Sequence, residues 1–246
     1  MPSQSFNEGV GNTGSVDSQT AGSPFNITKL TATDNYFNIN IGYTGVRTIA
    51  YSGPSSAPDS TTPSYTTSVS FTNGQSTTTL ATTLYKAEAT TITATDGGSY
   101  GHASSSVTVN PGEVSADSSD STVTGNTTVV LDTDTTITIT LRDTWRNPKS
   151  GVAAGNITLS ATATNTITQP SSDTNASGVT TGLVRWSDTG EKTVSVAIST
   201  IPLVQNDGST PDADGYLDDT HTITAEVRAA STTIKGGTKI RGGTKL

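Results

Sequence analysis

The sequence has no cysteine, one methionine and only 14% charged residues, and each scarcity excludes a class of protein. Without cysteine there are no disulfides and no thiolate ligands for zinc, so each folded unit must be held by its own core. Lys and Arg number 13 against 21 Asp and Glu, a formal net charge of −8. This balance argues against nucleic acid as a partner, because phosphate neutralisation needs basic residues. No apolar run approaches the ~18 residues of a membrane helix, so no membrane span is predicted.

Small hydroxyl residues are the most abundant feature of the sequence. There are 51 Thr and 31 Ser, one third of the 246 residues. β-Branched Thr and Val suit pleated strands, and strong helix formers are few. Apolar residues alternate with polar ones over many short segments that are separated by turn residues. This alternation predicts an all-β protein in which Thr and Ser face water.

The predicted strands fall into two groups, with Pro111-Gly112 between them. Six or seven short strands in about 100 residues predict an antiparallel β-sandwich for each group. The chain is therefore divided into a flexible polar N-terminal arm (1–22), a first domain (23–112), a second domain (113–231) and a basic Gly-rich tail (232–246).

Within the second domain, alternation predicts the side chains that form the core. The residues predicted to face inward are Ile137, Ile139, Leu141, Ile157, Leu159, Val194, Val196, Ile198, Ile223 and Val227.

One loop sequence of the second domain carries a family resemblance. It reads Asp143-Thr-Trp-Arg-Asn-Pro-Lys-Ser-Gly-Val152, and Asn156-Ile-Thr-Leu-Ser follows it. This stretch resembles bacterial immunoglobulin-like (Ig-like) domains of the invasin/intimin type, in which a strand ends in the pattern D-x-x-G-N-P-V-x-G-V. Arg146 stands where that pattern has a turn glycine. Asp173-Thr-Asn-Ala-Ser-Gly178 resembles the second turn of the family.

The first domain resembles another bacterial Ig-like module. The resemblance rests on Ala21-Gly-Ser-Pro-Phe25, Gly42-Tyr-Thr-Gly45, Phe71-Thr-Asn-Gly74 and Leu84-Tyr-Lys-Ala-Glu88. Together the two resemblances imply tandem antiparallel Ig-like β-sandwiches. Such modules occur as spacers in adhesins, in surface enzymes and in phage structural proteins, so the fold does not fix the function.

An acidic segment is the candidate metal site. Five carboxylates lie within thirteen residues, and oxygen ligands of this kind suit Ca²⁺: Asp207, Asp212, Asp214, Asp218 and Asp219. The segment is not an EF-hand loop, because its glycine comes too early and no Glu closes it. The alternative interpretation is a solvated acidic insertion between the last two strands. Apart from calcium, no cofactor is predicted.

The two tryptophans lead to different expectations. Trp186 lies on a predicted strand and is expected in the core, whereas Trp145 lies in a turn. Trp145 is the candidate for stacking on a sugar ring, and its alternative is packing at the seam between the domains. The two histidines, His102 and His221, lie in no nucleophile motif. We therefore predict no catalytic residues and a protein that is not an enzyme.

The C-terminal tail is positively charged, whereas the rest of the chain is negatively charged. Its four basic residues leave a charge of −12 on the remainder, and an apolar residue recurs at every sixth position. The tail is predicted to attach the chain to other structural proteins of a large assembly, with help from the N-terminal arm. The alternative is a disordered terminus. The predicted anchor residues are Ile234, Lys235, Lys239, Ile240, Arg241, Lys245 and Leu246.

Two functional hypotheses follow. The first is a non-enzymatic virion protein on the virion surface, as decoration or fibre of a phage head or tail, which fits the hydroxyl-rich surface and the basic tail. Residues 1–6 lack the pattern of a secretory signal, so either a signal has been removed or the protein does not use that route. The second is a bacterial cell-surface adhesin or pilus module that binds a glycan or a host protein through loops at one end of a sandwich.

Overall fold

The computed structural model describes residues 1–97 and 103–228. Within these residues the regular structure is β-strand, apart from one turn of 3-10 helix at Ala154–Asn156. No helix in this part of the chain is long and apolar enough to cross a membrane. Buried apolar side chains form two separate clusters, one in each half of the chain. The prediction of an all-β fold with two sandwich units is confirmed.

The first unit is built from short strands whose alternate side chains enter one core. One sheet has the order β3-β12-β11-β6, a second the order β4-β10-β7 and a third the order β5-β8-β9. Strand β3 pairs in parallel with β12, whereas the other pairings are antiparallel. The strands are β1 (Ser5–Asn7), β2 (Gly11–Thr13), β3 (Gln19–Thr20), β4 (Phe25–Ile27), β5 (Gly45–Thr48), β6 (Ala50–Ser52), β7 (Ser64–Tyr65), β8 (Ser68–Thr72), β9 (Gln75–Ser76), β10 (Leu80–Thr83), β11 (Glu88–Thr95) and β12 (Ala103–Asn110).

The second unit has two four-stranded sheets, β14-β16-β19-β18 and β15-β22-β20-β17, and a parallel pair β13-β21. The early strands β14 and β15 belong to different sheets, and β15 runs parallel to the last strand, β22. This distribution is that of an Ig-like sandwich. The strands are β13 (Val114–Ser115), β14 (Thr122–Thr124), β15 (Thr128–Val130), β16 (Thr135–Thr140), β17 (Ile157–Ala161), β18 (Asn165–Thr168), β19 (Val179–Trp186), β20 (Gly190–Ile198), β21 (Leu203–Val204) and β22 (His221–Glu226).

The predicted core of the second unit is buried with one exception. Val227 is 68% exposed, because β22 ends at Glu226 and Ala225 fills the last inward position of that strand. Trp186 is 1% exposed and lies in the core cluster, as expected. Its indole N–H has no hydrogen-bond partner among the described residues.

The segment expected to be a flexible arm is packed against the first unit. It contains the hairpin β1-β2 and strand β3, which pairs with the end of β12. The side chain of Met1 is 9% exposed and belongs to the first core cluster. Strands of two or three residues are too short to show alternation in the sequence, so the pattern could not reveal them.

Candidate functional site

The most highly organised polar site lies where the two units meet. It is built by the junction loop, residues 143–152, which follows β16 and begins with a tight turn. The amide of Arg146 donates to the carbonyl of Asp143 (2.8 Å), and the amide of Asp143 donates to the carbonyl of Asn147 (3.1 Å). Arg146 has a φ of 62°, the left-handed conformation that a glycine adopts without strain. The family's glycine at this position therefore has a structural reason.

The carboxylate of Asp143 organises this turn from the inside. It is 1% exposed, and its Oδ1 accepts the amides of Trp145 (3.0 Å) and Asn147 (2.8 Å). Its Oδ2 accepts the amide of Gly112 (2.8 Å) and the Nδ2 of Asn147 (2.8 Å). Burial raises the pKa of Asp143 above its usual 3.8, and the four hydrogen bonds oppose that shift. Because Gly112 lies between the units, Asp143 also holds the connecting segment.

Asn147 links the second unit directly to the first. Its side chain is buried, with Nδ2 donating to the carbonyl of Tyr85 (2.7 Å) and Oδ1 accepting the amide of Ala87 (2.8 Å). One amide side chain therefore satisfies a backbone donor and a backbone acceptor of the first unit, as a neighbouring strand would. Both partners lie within the Leu84–Glu88 motif of the sequence. The motif marked Leu84–Glu88 as part of a family resemblance. It gave no indication that this segment contacts Asn147, which lies 60 residues further along the chain.

Trp145 lies on the seam between the units. Its ring packs against the core cluster of the first unit, and its centroid is 5.6 Å from that of Tyr85. A Cβ added to Gly22 would lie 1.8 Å from the Trp145 ring, so this close approach requires glycine there. Packing at the seam was one of the two alternatives for Trp145. Its stacking on a ligand stays a prediction.

Two ion pairs surround the junction loop. The ammonium of Lys149 donates to the carbonyl of Gly112 and lies 3.9 Å from the carboxylate of Glu113. The Nε of Arg146 is 3.4 Å from the carboxylate of Asp120, which is almost completely buried. The two basic side chains of the loop therefore bind carboxylates of the second unit and a backbone carbonyl of the connecting segment.

The five carboxylates of the acidic segment mostly cap turns of the backbone. Asp207 accepts the amides of Ser209 and Thr210, and these hydrogen bonds, with that from the Thr210 hydroxyl, lower its pKa to about 2. Asp212 and Asp214 each accept an amide two or three residues further along.

The last two carboxylates of this segment have separate environments. Asp219 accepts the amide of Val123 (2.7 Å). Partial desolvation, together with repulsion from Asp212, Asp117 and Asp214, raises the pKa of Asp218. Within residues 1–97 and 103–228, no three His, Asp or Glu side chains are grouped to hold a metal ion. Calcium binding by this segment stays a prediction.

The remaining predicted site residues lie elsewhere. The Nε2 atom of His221 lies 3.3 Å from the carbonyl oxygen of Asn126. No catalytic role was predicted for this histidine. His102 and the whole predicted anchor lie outside the described residues, namely Ile234, Lys235, Lys239, Ile240, Arg241, Lys245 and Leu246.

The chain was compared with known proteins by sequence and by structure. The sequence matches no protein-family model, and it matches no curated protein. Invasin, described as a bacterial integrin-binding protein, is similar in structure with 18% identity and a TM-score of 0.41 over 86% of this chain and 38% of its own. Yersinia pseudotuberculosis InvD has 18% identity and a TM-score of 0.42 over 89% of this chain and 58% of its own. The D00–D0 domain of intimin has 16% identity and a TM-score of 0.43 over 85% of this chain and 94% of its own.

The chain thus spans 38% and 58% of the first two proteins. At identities of 16–18% and TM-scores of 0.41–0.43, these likenesses assign neither a family nor a function to this chain.

Proposed function

We propose that this chain is a non-enzymatic structural segment of a bacterial cell-surface protein, in which two Ig-like units form one stiff stalk. The observation that carries the proposal is the buried side chain of Asn147, which belongs to the second unit and hydrogen-bonds the backbone of Tyr85 and Ala87 in the first. A stalk must resist bending between its units, and a buried polar link has a directional geometry that resists it.

The connecting segment supports the same role. A free hinge normally has an exposed backbone that is bonded to water. Here Gly112 is buried, with its amide bonded to Asp143 and its carbonyl to Lys149. The ring of Trp145 fills the space beside it. Both the hydrogen bonds and the packing therefore oppose rotation of one unit on the other.

Of the two sequence hypotheses, this proposal takes the cell-surface alternative over the virion. The similar structures include invasin, a bacterial protein described as integrin-binding, although that binding belongs to invasin. A host protein or a glycan as a ligand of this chain stays a prediction, as does attachment through the tail. Antibody labelling of intact cells and of released particles would separate the two locations, and label confined to particles would contradict the proposal.

The stiffness of the junction can be measured with spin labels attached to introduced cysteines, because the chain has no cysteine of its own that would also be labelled. Spin labels on Ser68→Cys and Thr158→Cys, both exposed on strands of different units, report the distance between the units. We expect a single narrow distance distribution. Gly22→Ala, whose new Cβ would meet the Trp145 ring at 1.8 Å, should broaden it.

The matched control is Gly97→Ala. Gly97 has a φ of 70°, close to the 76° of Gly22, but its added Cβ would meet nothing within 4 Å. Both variants therefore carry the same backbone strain, and only Gly22→Ala disturbs the seam. A broad distribution in the unmodified chain, or equal effects of the two variants, would refute a stiff stalk.

A further inference from the structure

Exposed apolar side chains cluster at one end of the first unit, on what we name the tip patch: Val10, Tyr36, Phe37 and Ile41. Their exposed fractions are 64%, 78%, 46% and 72%. The turn between β1 and β2 and the loop 34–42 form one surface, since the amide of Gly9 donates to the carbonyl of Phe37 (3.1 Å). A cluster of this kind on a chain with only 5% aromatic residues is the mark of an interaction site.

The tip patch is held in shape by hydrogen bonds to carboxylates. Asp34 accepts the amides of Tyr36 (2.8 Å) and Asn38 (2.9 Å). Glu8, from the β1-β2 turn, accepts the amide of Ile39 (3.0 Å). The patch is therefore presented by a preorganised loop, which lowers the entropy cost of binding.

The charges of the tip patch and the tail are opposite. The segments 5–13, 33–42 and 94–97, which border the patch, contain Glu8, Asp34 and Asp96. One basic side chain, Lys29, lines the cavity beside Phe37, and its ammonium donates to the Oε1 of Gln75 (3.1 Å). Residues 229–246 contain four basic residues and no Asp or Glu. In an extended strand, successive side chains point to opposite faces. Ile234, Ile240 and Leu246 have even numbers and the four basic residues odd ones, so an extended tail would separate an apolar face from a cationic one.

The tip patch and the end of β22, which precedes the tail in the sequence, lie at opposite ends of the tandem. In the first unit, β11 runs from the junction at Glu88 to Thr95, next to Asp96, whose carboxylate accepts the Tyr43 hydroxyl near the patch. In the second unit, β16 runs toward the junction loop, and β22 ends at Glu226 beside Val130, at the opposite end. A contact between tip and tail therefore joins successive copies head to tail, and such a contact gives an open array wherever the rotation between copies does not close a ring.

We infer that the tail of one copy binds the tip patch of the next, with its apolar side chains on Tyr36 and Ile41 and its basic side chains toward Glu8 and Asp34. This contact goes beyond the stalk role and does not depend on the stiffness of the junction. It gives a linear array of the chain whose stability falls as salt screens the charges.

Sedimentation velocity of the full chain, from about 1 µM to about 1 mM, tests this directly. We expect concentration-dependent association that weakens as salt rises from about 0.05 to about 0.5 M. Tyr36→Ser should weaken it about tenfold or more. Replacing Lys235, Lys239, Arg241 and Lys245 together with Gln should have a comparable effect. The control is Tyr216→Ser, since Tyr216 is 45% exposed but lies on the second unit.

Several outcomes would overturn the inference. The first is a chain that stays monomeric over the whole concentration range. The second is association that Tyr36→Ser leaves unchanged. The third is chemical cross-linking that joins the tail to the tip patch within one copy. A monomeric chain with a narrow distance between units would refute the array and leave the stalk intact, so the two proposals fail separately.

Discussion

Replacing Asn147 with alanine removes the link between the units while leaving the backbone of the junction loop in place. The wild-type side chain makes two hydrogen bonds to the first unit and one to the carboxylate of Asp143. A neutral hydrogen bond contributes about 0.5–1.5 kcal/mol net, and one to a charged group about 1.5–3 kcal/mol. Because these contributions do not add fully, we expect Asn147→Ala to lower the free energy of unfolding by about 2–4 kcal/mol.

Urea unfolding followed by tryptophan fluorescence is the appropriate assay. Trp145 lies at the seam and Trp186 in the second core, so together they report both regions. With a slope of about 2 kcal/mol per molar urea, the loss corresponds to a midpoint shift of about 1–2 M. The variant should also separate the unfolding of the two units into distinct transitions, because the coupling between them is lost.

Asn175→Ala is the matched control for this measurement. The Asn175 side chain caps the amides of Ser177 (2.8 Å) and Val179 (3.1 Å) within one turn of the second unit. Its loss should cost about 1 kcal/mol and leave the coupling between the units unchanged. If Asn147→Ala costs less than about 0.5 kcal/mol, or no more than the control, the junction is not the stabilising link described above.

Two further predictions concern strain and burial. Arg146→Gly should raise the free energy of unfolding by about 0.5–1 kcal/mol, because relief of the left-handed φ exceeds the loss of the ion pair with Asp120. The buried Asp120 carboxylate keeps its hydrogen bonds from the hydroxyls of Ser115 and Ser119. A lower melting temperature would contradict this prediction. Tyr51 and Tyr65 stack at 4.6 Å, and neither hydroxyl has a hydrogen-bond partner among the described residues. Burial raises the pKa of each from 10.0 to about 12. The unfolded chain therefore loses these protons first, and stability should fall from pH 10 to about pH 12. Absorbance titration should show two late-titrating tyrosines. The double variant Tyr51→Phe, Tyr65→Phe should lack them and be at least as stable at neutral pH, since each removed hydroxyl is buried and unpaired. Titration of every tyrosine near pH 10 would refute this.

The strands and the core of the second unit could be predicted from the sequence because their cause is local. In β16, Ile137 and Ile139 alternate with Thr, and a period of two leaves one face for the core and the other for water. The sequence also showed that Arg146 stands where the family pattern has a turn glycine, and the structure gives this position a φ of 62°. By contrast, the pairing of β3 with β12 joins residues about 90 positions apart through backbone groups that every sequence carries.

What the sequence alone determined is therefore an all-β chain in two units whose hydroxyl-rich faces point outward. Only the tertiary structure decided the role of Asn147, because its partners are backbone groups at Tyr85 and Ala87 that no motif identifies as a pair. It also decided that the Trp145 ring packs at the seam, a position that depends on the absence of a side chain at Gly22. In both cases the physical reason is the same. Alternation records which face of a strand is buried, whereas the contact between two folded units depends on where their loops meet in space.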